Sequence, residues 1–99
     1  MLREFAQEEI TVSNAVKSLT AATYAASGGW GSAQKAVVQV LNATIRFYLN
    51  GTTPTTATGF SESAGSSFTL ENEAEIIGFR AIRQTSSDAK ITVSYLRKM

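Results

Sequence analysis

The chain has 99 residues, nine basic and eight acidic side chains, and a net charge of +1. Charges so evenly interspersed create no field that gathers nucleic acid or an anionic membrane surface, so neither is expected as a partner. Cysteine and histidine are both absent, which removes disulfides, thiolate metal ligands, imidazole bases and the catalytic triads that need them.

A chain of this length makes one domain over residues 1–99 and hides roughly 65% of the surface its unfolded form exposes. Hydrophobic residues are 43% of the total but aromatic ones only 9%, a composition for a thin core rather than a deep ligand pocket. Residues 1–10 carry Arg3, Glu4, Glu8 and Glu9, too polar for the apolar centre of a signal peptide, and no later stretch approaches membrane-spanning length. Residues 1–8 are expected to form a flexible arm. Ile10 and Val12 mark a first strand, and a further strand is expected over residues 17–24.

Gly28, Gly29, Trp30 and Gly31 place the one tryptophan in a glycine loop. Such a side chain either anchors a partner, offering large area with one polar edge, or folds back to plug the end of the core. The run over residues 36–41 puts Ala36, Val38 and Val40 on one face and Val37, Gln39 and Leu41 on the other. A small domain can cover one of these faces; the other is expected to meet a second subunit or to be covered by the N-terminal segment.

Residues 43–59 form the most informative stretch. Ile45, Phe47 and Leu49 alternate with Arg46 and Tyr48, then Asn50-Gly51 signals a tight hairpin turn, and a Thr-rich loop holds the only proline, Pro54. Phe68 and Leu70 alternate with Thr69 and Glu71; Ile77, Phe79 and Ala81 with Gly78, Arg80 and Ile82; Ile91, Val93 and Tyr95 with Thr92, Ser94 and Leu96. Turn-forming residues separate these runs. The pattern predicts an all-β fold: a single-domain antiparallel β-sandwich, jelly-roll or immunoglobulin-like, of six to eight short strands.

Glu71, Glu73 and Glu75 recur at every second position. Paired carboxylates can hydrolyse glycosides or gather a hard cation, but no ligand-spaced loop accompanies them, so a solvated strand edge that discourages aggregation is expected instead. Arg46, Arg80 and Arg83 are expected on outward faces, pairing with that glutamate row or across a subunit boundary. No catalytic, metal-binding or cofactor-binding residues are expected, and no cofactor.

The ordered series Ile45-Arg46-Phe47-Tyr48-Leu49-Asn50-Gly51-Thr52-Thr53-Pro54-Thr55, then Phe79-Arg80-Ala81-Ile82-Arg83, then Val93-Ser94-Tyr95 resembles a group of small phage-encoded virion proteins of about this length. In that group an "IRF/Y-x-L-D/N-G-T-x-P-T" strand and turn precedes "F-R-A-I-R" and a terminal "V-x-Y". The resemblance implies a β-sandwich or jelly roll that decorates or stabilises a phage head or belongs to the tail, in symmetric oligomers with a trimer slightly favoured. It also implies a location in the virion after synthesis in the host cytoplasm, with head or tail proteins as partners. Partner-binding residues expected on this reading are Trp30, Val37, Gln39, Leu41, Tyr48, Thr52 and Thr53. Residues 48–54 are also similar to immunoglobulin-like accessory modules of chitin- and hexosamine-degrading enzymes, which read "Y-T-x-D-G-x-x-P"; Asn50 stands where aspartate is usual there. That similarity implies the alternative of a carbohydrate- or cell-surface-binding module using Trp30 and Tyr48.

Overall fold

Alternation of apolar and polar side chains organises the protein in the computed structural model, which describes residues 2–25 and 31–98. Strand β1 (Leu2–Val12) is followed by a single helical turn α1 (Ala21–Tyr24), β2 (Lys35–Leu41), β3 (Ile45–Tyr48), β4 (Phe60–Glu62) and β5 (Ser67–Leu70). Helix α2 (Glu73–Gly78), β6 (Arg80–Arg83) and β7 (Ala89–Lys98) complete the described residues. The strands form two antiparallel sheets, ordered β1-β7-β2-β5 and β4-β3-β6. The protein is an all-β sandwich.

Strand β7 lies between β1 and β2 and carries the core. Its Ala89, Ile91, Val93 and Tyr95 are fully buried, as are Ala36, Val38 and Val40 of β2. Ile45, Phe47 and Ala81 of the second sheet close over them. Between the sheets Phe47 stacks on Phe68 with ring centroids 4.6 Å apart and meets Phe79 at 5.8 Å. Each large apolar side chain removed from water contributes about 1.5–3 kcal/mol.

The two layers differ in length. Strands β1 and β7 have 11 and 10 residues, whereas β3, β4 and β6 have four, three and four. The connection from β1 to β2 covers the overhang. Lys17 exchanges both backbone hydrogen bonds with Ala81 at 2.8 and 2.9 Å, and Arg83 N donates to Ser13 O at 3.0 Å, so residues 13–17 extend the short sheet beyond β6. Farther on, Leu19 is buried and Tyr24 packs its ring 5.9 Å from that of Tyr95.

Several sequence expectations are corrected. Residues 2–12 are no loose arm: they pair along β7 from Leu2↔Lys98 to Val12↔Ala89, with an irregularity between Glu4 and Ala6 where Phe5 lies under the Arg97 guanidinium, 4.2 Å from the ring centroid. Residues 17–24 form one bridge and a helical turn rather than a strand. Asn50-Gly51 does not close a two-residue hairpin. Only Gly51 of the two has positive φ, at 83°, and β3 pairs with β4 after a loop that spans residues 49–59. Of the glutamate row, Glu73 and Glu75 lie in helix α2 and Glu71 precedes its cap, so the row is not a strand edge, and the segment read as one strand over 77–83 divides into the end of α2 and β6.

Replacing Phe47 with alanine removes a ring that touches both layers. The expected loss is about 3–5 kcal/mol, read as a lower urea midpoint with an unchanged slope.

Candidate functional site

Helix α2 begins at Asn72, whose Oδ1 accepts from Glu75 N at 2.9 Å, while Glu75 Oε1 accepts from Glu71 N at 2.7 Å. The first bond satisfies a donor that the first turn would otherwise leave bare, and the second ties Glu75 back to the residue before the cap. The Asn72-x-x-Glu75 spacing is visible in the sequence and announces the helix; reading the glutamates as period-two conceals it.

At its other end α2 presses on the turn that follows β3. Gly51 N donates to Gly78 O at 2.8 Å. A Cβ on Gly78 would lie 2.4 Å from Leu49 O, so only glycine permits this approach. Gly59, at φ 115°, folds the far end of the loop back against Phe47 and Pro54, and Arg46 Nη1 donates to Gly59 O at 2.9 Å. Pro54 is buried, while Thr52, Thr53 and Thr55 to Thr58 are exposed.

Between this turn and α2 runs a shallow groove of about 640 Å³ lined by Leu49, Asn50, Gly51, Glu75, Ile77 and Arg80, continuous through Leu49, Asn50 and Glu75 with a second hollow bordered by Tyr48 and Phe60. Ile77 is 52% exposed and Phe60 61% exposed. Phe60 packs edge-on to Tyr48 at 6.0 Å. Tyr48 and Phe60 of the short sheet thus border one end of this continuous groove, and Ile77 of α2 borders the other. Sequence reasoning misses both Phe60 and Ile77: Phe60 follows the loop with no alternation of its own, and a strand reading turns Ile77 inward.

The second surface lies on the other layer. Val37, 40% exposed, points outward from the long sheet beside exposed Gln39 and half-buried Leu41, as the alternation predicts. Their cross-strand neighbours are Ser94, Thr92 and Lys90 on β7 and Thr69 and Ser67 on β5. Charges on this face are paired at its margins, Lys90 with Glu9 at 3.6 Å and Lys35 with Glu71 at 3.9 Å. Val37, Gln39 and Leu41 thus form one group, and Tyr48 belongs to another, near Thr52, whose N donates to Asn50 Oδ1 at 3.2 Å. Trp30 and its Gly28 and Gly29 neighbours lie outside the described residues.

The arginines do not meet the glutamate row. Arg80 Nη1 donates to the carbonyls of Ile77 and Phe79 at 2.9 and 2.7 Å, and Arg83 pairs with Asp88 at 2.5 Å. Among the described residues no three acidic groups converge in a way that could hold a metal ion. A polar cluster does sit at the inner face of the overhang: Glu8 accepts from the Tyr95 hydroxyl, from Thr20 Oγ1 at 2.6 Å and from Thr20 N at 3.3 Å. Burial, then the Glu8 hydrogen bond and charge, push the Tyr95 hydroxyl well above its ordinary value of 10.0. The cluster ties β1, the crossing segment and β7 together, a structural task.

No protein-family model, curated protein or solved structure matches this protein.

Two outcomes check these contacts. Gly78→Ala lowers stability by about 1–3 kcal/mol, the range of a forced backbone shift, in a denaturant titration. For Tyr95, a raised folded value means that its contribution is complete below pH 10 and declines as pH rises beyond it, because the unfolded protein loses the proton first. Alkaline unfolding should therefore set in above about pH 10 and be shallower in Tyr95→Phe, itself about 1–2 kcal/mol less stable at neutral pH because Glu8 loses a donor.

Proposed function

We propose that this protein is a non-enzymatic structural subunit that associates with copies of itself and docks on a larger particle. The observation that carries the reading is the presence of exposed apolar side chains on two opposite surfaces of one small domain: Val37 on the long sheet, set among Gln39, Thr and Ser side chains, and Phe60 with Ile77 of α2 beside the short one. A subunit repeated in an assembly needs such a pair, one surface for its neighbours and one for the substrate it coats, and many weak contacts then add through multivalency. The outer face of the long sheet suits a second copy, since its charges are already paired at the margins and its centre is Val, Thr, Ser and Gln. The particle we assign is a phage virion, with this protein as a head-decorating, head-stabilising or tail-associated component; the support is the ordered series of three motifs, whose strands β3, β6 and β7 lie in the two sheets of one sandwich.

Sedimentation over a concentration series tests self-association. The wild-type protein is expected to gain mass with concentration, and Val37→Glu, at an exposed position that leaves the fold intact, to raise the dissociation constant at least tenfold, about 1.4 kcal/mol. A wild-type protein that stays monomeric to high concentration defeats the self-association. Mass spectrometry of particles purified from the cell that carries the gene tests the virion assignment separately.

A further inference from the structure

We propose that Asn50-Gly51 is a latent modification site: an asparagine set for deamidation through a succinimide, which the fold keeps closed with the hydrogen bond from Gly51 N to Gly78 O. The chemistry needs only the protein and water. The Gly51 nitrogen, once free to give up its proton, attacks Asn50 Cγ; the N–Cγ bond forms, the Cγ–Nδ2 bond breaks and ammonia leaves. Water then opens the five-membered ring at either carbonyl, yielding aspartate or an isoaspartate whose backbone runs through the former side chain. The net change exchanges ammonia for water.

Most of what this reaction requires is present. Asn50 is exposed. Gly51 has no Cβ to obstruct ring closure, and the space where one would stand is empty within 4 Å. The Asn50 side chain is folded back over the Gly51 peptide, its Oδ1 accepting from Thr52 N at 3.2 Å. The nucleophile is withheld, because its N–H is spent on Gly78 O at 2.8 Å. That bond exists because Gly78 lies against Leu49 O, where any Cβ would collide. Attack therefore waits until the end of α2 lifts from the turn, a local opening rather than global unfolding. The same opening exposes the Gly51 amide to hydrogen exchange. When opening and closing are fast, both processes are slowed by one factor, the fraction of time the contact is open. The product does not simply close again: a new carboxylate at position 50 enters the groove that Glu75 lines, and isoaspartate lengthens the backbone inside the clamp.

The test compares two ratios. Wild-type protein and its urea-unfolded form are incubated at neutral pH, and the tryptic peptide carrying Asn50 is followed for the mass gain that replaces amide by acid, with isoaspartate identified by fragmentation. Hydrogen exchange of the Gly51 amide is measured under the same native conditions. The expected result is a native deamidation rate below the unfolded rate by the same factor, within about threefold, as the amide is protected, and a rate that rises in Gly78→Ala. Since that variant could unfold outright, urea below the global transition applied to the wild-type protein provides the second arm and should accelerate both processes in parallel. Native deamidation as fast as in the unfolded form, or a rate that ignores the opening of the Gly51 amide, overturns the proposal.

Discussion

The structure depends on a mismatch of lengths between its two layers. Strands β1 and β7 run 11 and 10 residues in the long sheet, while the strands that face them have only three or four. Part of the long sheet is covered by its partner sheet; the rest must be covered by something else, or buried side chains such as Tyr95 would face water. Residues 13–25 supply that cover, held by backbone pairing to β6 at one end and by Glu8 at the other. An inward carboxylate on an edge strand is costly unless its oxygens are satisfied. Here Tyr95 and Thr20 satisfy it, and the same hydrogen bonds fix where the crossing segment lies.

The other end of the molecule is governed by the contact of α2 with the turn after β3. Two glycines meet there, Gly51 supplying a positive φ and Gly78 an absent side chain. One backbone hydrogen bond joins them and shapes the groove between Tyr48, Phe60 and Ile77. The groove beside the short sheet is a product of this clamp rather than of any one strand. The outer face of the long sheet, by contrast, follows from local alternation alone. The proposed division of labour between self-association and docking thus rests on two surfaces with different structural origins.

Legibility followed range. The alternation of Ala36, Val38 and Val40 against Val37, Gln39 and Leu41 is a local property, and the burial of the first set and exposure of Val37 and Gln39 are seen as expected. So are the inward faces of Ile45 with Phe47 and of Ile91, Val93 and Tyr95. Helix α2 is hidden in the sequence because Glu73 and Glu75, which make a helical first turn, continue a period of two from Glu71, and only the Asn72–Glu75 cap separates the readings. Phe60 and Ile77 could not be placed because exposure at a loop exit or a helix end depends on what packs nearby. Within the protein the arginines pair elsewhere than with the glutamate row for a related reason: a guanidinium takes the nearest satisfied geometry, which for Arg80 is two backbone carbonyls and for Arg83 is Asp88.

By itself the sequence determined the fold class, the inner and outer faces of the main strands and the lack of thiol and imidazole chemistry, because side-chain period and residue inventory are properties that can be read locally. Tertiary structure alone decided that residues 2–12 form a full-length edge strand, that residues 13–25 cover the overhang and that the Asn50-Gly51 turn is clamped by Gly78. Each of these joins segments far apart in sequence, and such contacts are chosen by which surfaces remain to be buried once the strands have paired, a quantity that no local pattern contains.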